Sequence, residues 1–405
     1  MSQNLGTSKP VSLVCRQGGS LGMGIIYMDN AATSFPKAPG VVEAVAHYLE
    51  HIGASAGRGA HRLAREAESL LWDTRRLLAN LFGVSEPKRV VFALNVTQAL
   101  NMALFGLLRE GDHVVTTSME HNSVMRPLRH LERVRKISIS LAQADREGVL
   151  EPQRVLELIR QETRLVVMNH ASNVTGGILP VKEVAKLKGA AMLLVDAAQT
   201  GGAVPIRMED WGVDLLAFTG HKSLLGPPGV GGLCLAPHVQ LPPLIHGGTG
   251  TGSESHYQPL ELPLAMEAGT HNMAGIAGLR AAASYILERG VESIMEYEGR
   301  LLEKLLEGLG GIKGVRIYGP SDILERVPVI SINMVGMHPD HLAAVLEEGF
   351  GILVRPGLHC SPSAHQTLGT FPEGTVRISL GPLQEEKDVK ALLQALEEIS
   401  SQFGP

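Results

Sequence analysis

Short apolar runs and longer amphipathic segments alternate along most of this chain. Each run spans about four residues and ends in polar or glycine-containing positions, which is typical of a buried strand. Strands that alternate with helices predict a mostly parallel sheet joined by right-handed crossovers. The apolar runs lie at residues 89–92, 113–116, 165–168, 192–195 and 215–218.

Helical spacing of apolar residues is clearest between positions 61 and 82. We expect one long amphipathic helix there, whose apolar side carries Leu63, Ala67, Leu70, Leu71, Leu77 and Leu78. Pro36 and Pro39 favour the start of an earlier helix over residues 41–49, after a short strand that begins at Ile25.

The pattern changes beyond Asn272, where helices are predicted over 276–289 and 291–309 and strands over 315–318 and 329–333. A chain of 405 residues is too long for one simple core. We therefore predict three segments. These are a flexible tail at 1–24, a large domain at 25–275 whose first residues pack with the small domain, and a smaller α+β domain at 276–405.

The composition narrows the class of protein and its partners. A formal net charge of −5 without basic runs argues against a nucleic-acid-binding surface. No apolar stretch approaches the roughly 20 residues that span a bilayer, so we expect no membrane insertion. Cys15, Cys234 and Cys360 form no CxxC pair, which argues against a disulfide framework or a metal site and favours a reducing cytoplasm.

Polar side chains follow the predicted strands, at the sheet edge where α/β proteins bind ligands. Asp196 ends one apolar run, and Lys222 follows the next run along the chain. An enzyme that uses pyridoxal phosphate (PLP) needs a lysine to hold the aldehyde as a Schiff base. It also needs an acid that keeps the pyridine nitrogen protonated, so that the ring withdraws electrons. The sequence therefore predicts a PLP site at Asp196 and Lys222.

Other polar positions suit the cofactor's phosphate. Asn95, Val96 and Thr97 lie where a helix begins, so free backbone N–H groups there can hold a phosphate. A plain helix cap at Asn95 is the alternative interpretation. Thr219 and His221 flank the lysine and could add hydrogen bonds to the phosphate.

Three further side chains suit the pyridine ring. His121 follows a strand and could lie over the ring and shuttle protons. Asn173 and Gln199 follow two other strands and would contact the ring oxygen O3′.

Two features of the C-terminal third suggest a reaction with an amino acid. Arg377 lies in a predicted strand, and its guanidinium suits a bidentate grip on an α-carboxylate. Cys360 follows His359 in a Gly/Pro/His loop near Arg355, and positive charge there would favour the reactive thiolate. We interpret Cys360 as a nucleophile and Cys234 as an inert buried thiol.

Together these motifs resemble the class V aminotransferase group of fold-type I PLP enzymes, and within it the cysteine desulfurases. The resemblance extends from Tyr27 to the C-terminus and is carried by DNAAT (29–33), EHNS (120–123), SNVTG (172–176), DAAQ (196–199), GHK (220–222), EAGTHN (267–272) and RPGLHC (355–360). It implies a large domain with a mostly parallel seven-stranded sheet and a homodimer with active sites at the interface. It also implies that Thr270 reaches the PLP phosphate held by the other subunit. We assign Ala31, Asn173 and Arg355, with Arg377, to the substrate side of the site.

The resemblance implies conversion of L-cysteine to L-alanine, with a persulfide on Cys360 that passes to a sulfur-acceptor protein. The short segment between Arg355 and Arg377 resembles the group II desulfurases, a branch that includes the selenocysteine lyases. The alternatives are therefore a selenocysteine lyase that acts on L-selenocysteine, a cysteine or cystine C–S lyase, and a class V aminotransferase. A non-catalytic protein with the same fold would be expected to lack Lys222, Asp196 or Arg377, and all three are present.

Overall fold

The computed structural model describes residues 24–57, 59–251 and 254–403, so the predicted tail, with Cys15, lies outside the described residues except for Gly24. The described residues form thirteen strands. In chain order the strands are β1 (Ile26–Tyr27), β2 (Val90–Ala93), β3 (His113–Thr117), β4 (Ser138–Ala142), β5 (Thr163–Asn169), β6 (Met192–Asp196), β7 (Leu215–Thr219), β8 (Gly231–Leu235), β9 (Val315–Tyr318), β10 (Val329–Met334), β11 (Ile352–Leu353), β12 (Arg355–Gly357) and β13 (Thr375–Ser379).

Twelve α-helices accompany these strands in the same described ranges. They are α1 (Val41–His47), α2 (Arg62–Phe82), α3 (Val96–Leu107), α4 (Asn122–Arg135), α5 (Pro152–Leu156), α6 (Val181–Leu187), α7 (Met208–Trp211), α8 (Met273–Arg289), α9 (Val291–Gly311), α10 (Pro339–Phe350), α11 (Pro362–Leu368) and α12 (Glu386–Phe403). Within these ranges, no helix combines the length and the apolar character needed to cross a bilayer.

Helix α2 is the long amphipathic helix that the sequence predicts. The His61 side chain accepts the backbone N–H of Ala64 at its start, and Gly83, with a φ of 66°, ends it in the left-handed region. Ala67, Leu71 and Leu78 are buried on its inner face. The earlier helix is shorter than expected, because α1 ends at His47 and a π-helical turn, Tyr48–Ile52, continues it.

Seven strands form the large sheet in the order β2-β8-β7-β6-β5-β3-β4. Neighbours from β4 to β7 pair in parallel, and only β8 runs against the others. The expected mostly parallel sheet of seven strands is therefore confirmed.

Apolar runs located five of these strands and missed β4 and β8. Strand β4 is an edge strand of mixed polarity, with Ser138 exposed. Strand β8 begins with two glycines, and a Cβ at Gly232 would lie 2.4 Å from the carbonyl oxygen of Val91. Neither strand therefore reads as an apolar run, although both complete the sheet.

A second sheet, in the order β12-β13-β10-β9, is antiparallel. It packs in a separate hydrophobic cluster, which also takes in Met28 near the start of the described chain. Strand β1 pairs in parallel with β11, so the first described residues join this second body.

The two larger hydrophobic clusters share α9, where Ile294 belongs to the larger and Leu301 to the smaller of them. The domain boundary expected at 275/276 stays a prediction. Helix α8 packs in the large cluster through buried residues such as Ile276 and Leu279. The apolar face of α8 therefore covers the large domain, and α9 carries the chain across to the small one.

Candidate active site

The register of the large sheet brings the predicted cofactor residues to one edge. Asn169, at the end of β5, lies opposite Asp196, at the end of β6, and Asp196 lies opposite Ala217 of β7. Strand β7 then ends at Thr219, and Lys222 follows in the next turn. A cleft at this edge is lined by Val96, His121, Asn173, Asp196, Gln199 and Lys222, among others.

Burial dominates the electrostatics of the acid and the lysine. It lowers the pKa of Lys222 to about 8, and the negative charge of Asp196 opposes that shift. Burial also raises the pKa of Asp196, opposed by the backbone N–H of Ala198, 2.9 Å from Oδ1, and by Lys222. Lys222 therefore has an appreciable neutral fraction near pH 8, the form that acts as a nucleophile or base.

The phosphate side of the site carries unsatisfied donors. The Thr219 hydroxyl is buried and has no hydrogen-bond partner in the described residues. The Asn95 side chain accepts the N–H of Gln98 at 3.0 Å, so Asn95 is a helix cap as the alternative interpretation holds. The N–H groups of Val96 and Thr97 still belong to the first turn of α3 and have no intrahelical acceptor. A buried free hydroxyl and a helix N-terminus fit a phosphate group.

His221 lies beside Lys222 and is uncharged near neutral pH. Burial, with Lys222 and Lys37, lowers its pKa to about 4. Its carbonyl oxygen accepts the backbone N–H of Ser34 at 2.8 Å and the ammonium of Lys37 at 3.1 Å. The backbone of His221 thus holds the lysine turn in place, and the phosphate contact expected of its side chain stays a prediction.

His121 is the N-cap of α4 and lines the cleft. Its Nδ1 accepts the backbone N–H of Ser123 at 3.0 Å. Burial is the main cause that lowers the pKa of His121 to about 4, and the nearby cation Lys222 adds to it. The neutral ring therefore carries its proton on Nε2, because Nδ1 is already an acceptor.

Gln199 and Ala31 are joined by a hydrogen bond across the site. The Gln199 Nε2 donates to the Ala31 carbonyl oxygen at 3.1 Å, and the Ala31 N–H donates to the Ser379 hydroxyl at 2.9 Å. Ala31 therefore connects the edge of the large sheet to β13 of the small one. Its expected substrate contact stays a prediction.

Arg377 is buried on β13, directly opposite Arg355 on β12. Its Nη2 donates to Asp29 at 2.6 Å, its Nη1 donates to the Asn173 carbonyl oxygen at 3.1 Å, and its Nε has no partner in the described residues. Burial lowers the pKa of Arg377, and Asp29 opposes the shift. Three N–H groups of the guanidinium remain available for a carboxylate.

Cys360 lies in the turn between β12 and α11, with an exposed side chain. It interacts electrostatically with Lys222, so the turn belongs to the same site. Burial sets the pKa of His359 well below its usual value, so its ring is uncharged. The positive charges that act on His359 include those of Arg377 and Arg355. Cys234 is fully buried in β8, and burial raises the pKa of its thiol.

Asn173 lines the cleft, yet both ends of its amide bind the Cys360 turn. Its Nδ2 donates to the His359 carbonyl oxygen at 2.7 Å, and its Oδ1 accepts the Ser361 hydroxyl at 2.7 Å. The predicted contact of Asn173 with the ring oxygen O3′ stays a prediction.

Thr270 is not brought to this cleft within the chain. It is exposed and lines another pocket, beside Phe92 and His271. The neighbouring Glu267 anchors that loop: it forms a buried ion pair with Arg75 and accepts the Phe92 N–H at 2.6 Å. The expected role of Thr270 toward the other subunit stays a prediction.

The sequence reasoning missed several side chains around the site. The Ser361 hydroxyl and the backbone N–H of Asn122 form hydrogen bonds that hold the Cys360 turn. Both residues were overlooked, although they directly follow Cys360 and His121 in the sequence. Lys37, which supports the lysine turn, is half-buried, and burial lowers its pKa to about 8. A lysine between two prolines was the only signal that could have indicated Lys37.

Known proteins agree with the fold and the motifs. The family described as Aminotransferase class-V matches residues 26–392. A probable cysteine desulfurase of Methanothermobacter thermautotrophicus is 36% identical over 93% of this chain and 94% of its own length. One of Pyrococcus abyssi is 34% identical over 93% and 94%.

Solved structures give the same result. The apo structure of a cysteine desulfurase from Thermococcus onnurineus superposes with a TM-score of 0.88 at 33% identity, and covers 93% of this chain and 95% of that one. The chain therefore belongs to the aminotransferase class-V family, and within it to the cysteine desulfurases.

Proposed function

We propose that this protein is a PLP-dependent cysteine desulfurase, a sulfurtransferase that converts L-cysteine to L-alanine and carries the sulfur as a persulfide on Cys360. The observation that carries the proposal is the placement of an exposed thiol and a buried arginine close enough to the buried Lys222 for their charges to act on it. A transaminase would have no use for that thiol.

The residues present fit the cofactor. Lys222 would hold PLP through its aldehyde, Asp196 would pair with the pyridine nitrogen, and Thr219 with the first N–H groups of α3 would bind the phosphate. When bound, PLP supplies an electron sink for negative charge at the substrate Cα. Asp196 offers a second carboxylate oxygen for this pairing, since only its Oδ1 has a hydrogen bond in the described residues.

Lys222 and His121 divide the proton transfers. Lys222 is the base for the Cα proton, because its pKa of about 8 leaves part of the amine neutral at physiological pH. His121 is neutral with its proton on Nε2, so in this tautomer it can donate a proton but not accept one there. We therefore assign His121 to protonation of the carbon skeleton that loses sulfur.

The sulfur transfer proceeds by attack of the Cys360 thiolate on the substrate sulfur. The new S–S bond forms while the substrate Cβ–S bond breaks, and the bonding electron pair stays with the carbon skeleton. That carbon then takes up a proton, so the Cys360 sulfur is oxidised, the carbon is reduced and alanine remains. Arg377 and Arg355, which face each other across β12 and β13, would hold the substrate carboxylate during this step.

The persulfide must then pass to an acceptor. The exposed side chain of Cys360 supports transfer to a separate sulfur-acceptor protein. A homodimer would bring Thr270 of one subunit to the phosphate site of the other, which accounts for its distance from the cleft in its own chain. A reducing cytoplasm suits the free thiol on which the cycle depends.

The proposal is tested by adding L-cysteine to the purified holoenzyme and assaying alanine, sulfide and pyruvate together with the absorption of the bound cofactor. Cys360→Ser should retain cofactor absorption and lose alanine formation, because the nucleophile is absent. Cys234→Ala is the matched control, and we expect it to form alanine like the wild type because Cys234 is buried in β8. Full alanine formation by Cys360→Ser would refute the nucleophile, and pyruvate from the wild type would indicate a C–S lyase.

A further inference from the structure

In the turn that carries Cys360, three consecutive backbone carbonyl oxygens each accept a hydrogen bond. The Leu358 oxygen accepts the N–H of Ser361 at 2.9 Å, and the Cys360 oxygen accepts the N–H of Asn122 at 2.8 Å. Between them, the His359 oxygen accepts the Nδ2 of Asn173 at 2.7 Å. The turn is therefore fastened to itself, to the start of α4 and to the loop after β5.

The backbone of this turn is strained. His359 and Cys360 have φ angles of 49° and 58°, in the left-handed region that residues other than glycine seldom occupy. Such conformations are unfavourable by themselves and persist only where surrounding contacts enforce them. The three hydrogen bonds to backbone oxygens, with the bond from Ser361 to Asn173, are contacts of that kind.

The orientation of the Asn173 amide is determined by its partners. The His359 carbonyl oxygen can only accept, so the nitrogen of the amide must face it. The amide oxygen then faces the Ser361 hydroxyl, which donates at 2.7 Å. A single side chain thus bridges the residue before Cys360 and the residue after it, and it is itself buried.

We propose that Asn173 is a positioning residue for Cys360: its amide holds the 358–361 turn, and with it the thiol, against the loop after β5 that lines the cleft. The chemical meaning of this role rests on the proposed desulfurase function. Attack by a fixed thiolate avoids the loss of orientation that a mobile loop would bring. A fixed thiol also cannot carry sulfur away, so the acceptor must bring its own thiol to Cys360.

The proposal is tested by amide hydrogen exchange, measured by mass spectrometry on the peptide that spans 358–361, with and without PLP. In Asn173→Ala we expect exchange in this turn to be about tenfold faster, the effect of about one net hydrogen bond. Ser361→Ala removes only the bond to the amide oxygen and should give a smaller acceleration. Asn122→Ala is the matched control, because its backbone N–H, which binds the turn, is retained.

Two further measurements separate positioning from cofactor binding. Asn173→Ala should lower kcat for alanine formation by up to about 100-fold, since misplacement by about 1 Å can have that effect. PLP affinity and the absorption of the bound cofactor should stay unchanged.

The proposal is overturned if exchange in the turn is the same in Asn173→Ala, Ser361→Ala and the wild type. An altered cofactor absorption with unchanged exchange would overturn it too and return Asn173 to the ring oxygen. A wild type that forms no alanine would instead refute the desulfurase function, and the exchange result would still decide the role of Asn173.

Discussion

The candidate active site has two parts, called walls here, which are built in different ways. Asp196, Thr219 and Lys222 form a cofactor wall, and they lie at or just beyond the ends of neighbouring strands of one sheet, so the strand register places them. The 358–361 turn forms a thiol wall, which is positioned by side-chain and backbone hydrogen bonds to residues nearly 190 or more positions away. The cofactor wall therefore depends on the core, and the thiol wall depends on a few polar contacts.

This difference predicts that each wall can be damaged alone. Substitution of a side chain at a strand end removes its chemistry and leaves the backbone in place, because the sheet continues to hold that backbone. Substitution of a residue that binds the 358–361 turn, such as Asn173, leaves the Cys360 thiol in place and loosens the backbone that carries it. Arg377 donates to Asp29 and to the Asn173 carbonyl oxygen, so it belongs to neither wall but binds the residue that holds the thiol wall.

The largest effect should come from the cofactor wall. Asp196→Asn removes the negative charge that would pair with the pyridine nitrogen, and we expect kcat for alanine formation to fall by about 1,000-fold. The absorption of the bound cofactor should change as well. Hydrogen exchange in the 358–361 turn should stay as in the wild type, since Asp196 does not contact the turn.

Asp214→Asn is the matched control for this change. Asp214 is equally buried but lies just before β7, at the opposite edge of the same sheet, where it binds Lys188, His238 and the N–H of Leu193. We expect Asp214→Asn to lower the free energy of unfolding and to leave the absorption of the bound cofactor unchanged. Faster exchange in the 358–361 turn of Asp196→Asn would contradict the independence of the two walls.

A smaller effect should follow from loosening Arg377, which binds the Asn173 carbonyl oxygen. Asp29→Asn keeps the shape of the residue but removes the charge that holds Nη2 at 2.6 Å. A charge-assisted bond of this kind contributes about 1.5–3 kcal/mol. We therefore expect KM for L-cysteine to rise roughly tenfold while cofactor absorption stays constant.

Asp73→Asn, at an exposed ion pair with Arg76 on α2, is the control for the loss of an acidic charge. It should leave KM unchanged, because exposed pairs contribute little. An unchanged KM in Asp29→Asn as well would mean that Arg377 does not need Asp29 to bind the carboxylate.

The same division explains what the sequence could predict. Asp196 and Lys222 each follow an apolar run, and the rule that parallel strands end at one edge was enough to bring them together. Cys360 and Arg377 are identified by their chemistry, in a predicted loop and a predicted strand. The fold class followed from the alternation of strands and helices, although β4 and β8 lacked the apolar runs that located the others.

The contacts that hold the thiol wall could not be predicted in the same way. The bond from Asn173 to the His359 oxygen joins residues 186 positions apart and leaves no periodic signal in the sequence. Residue chemistry assigned the Asn173 amide to the cofactor, because an amide suits a ring oxygen as well as a carbonyl. The folded chain packs the small domain against the large one, and only this packing shows that the Asn173 amide binds the His359 carbonyl oxygen.

The smallest effect on either wall should come from Glu298, which lies behind them on α9. Glu298 is buried and lines a pocket that Lys222 and Gln199 also line. Burial raises its pKa to about 8, and Arg289 opposes the shift. The unfolded chain exposes this carboxyl, so its pKa there is the ordinary value near 4.5.

The sign of the pH dependence follows from these two pKa values. Below about pH 4.5 the carboxyl is protonated in both states, and Glu298→Gln should differ from the wild type by a constant amount. As the pH rises from 4.5 to 8, the unfolded wild type ionises and the folded form does not, so the wild type loses stability by up to about 4 kcal/mol relative to the variant. Chemical denaturation of both proteins from pH 4.5 to 9 measures the difference, with Glu296→Gln, exposed on the same helix, as the control. A gap between wild type and Glu298→Gln that stays constant over this range would mean that Glu298 is charged in the folded protein, and the space behind the cofactor wall would then contain a second buried charge beside Lys222.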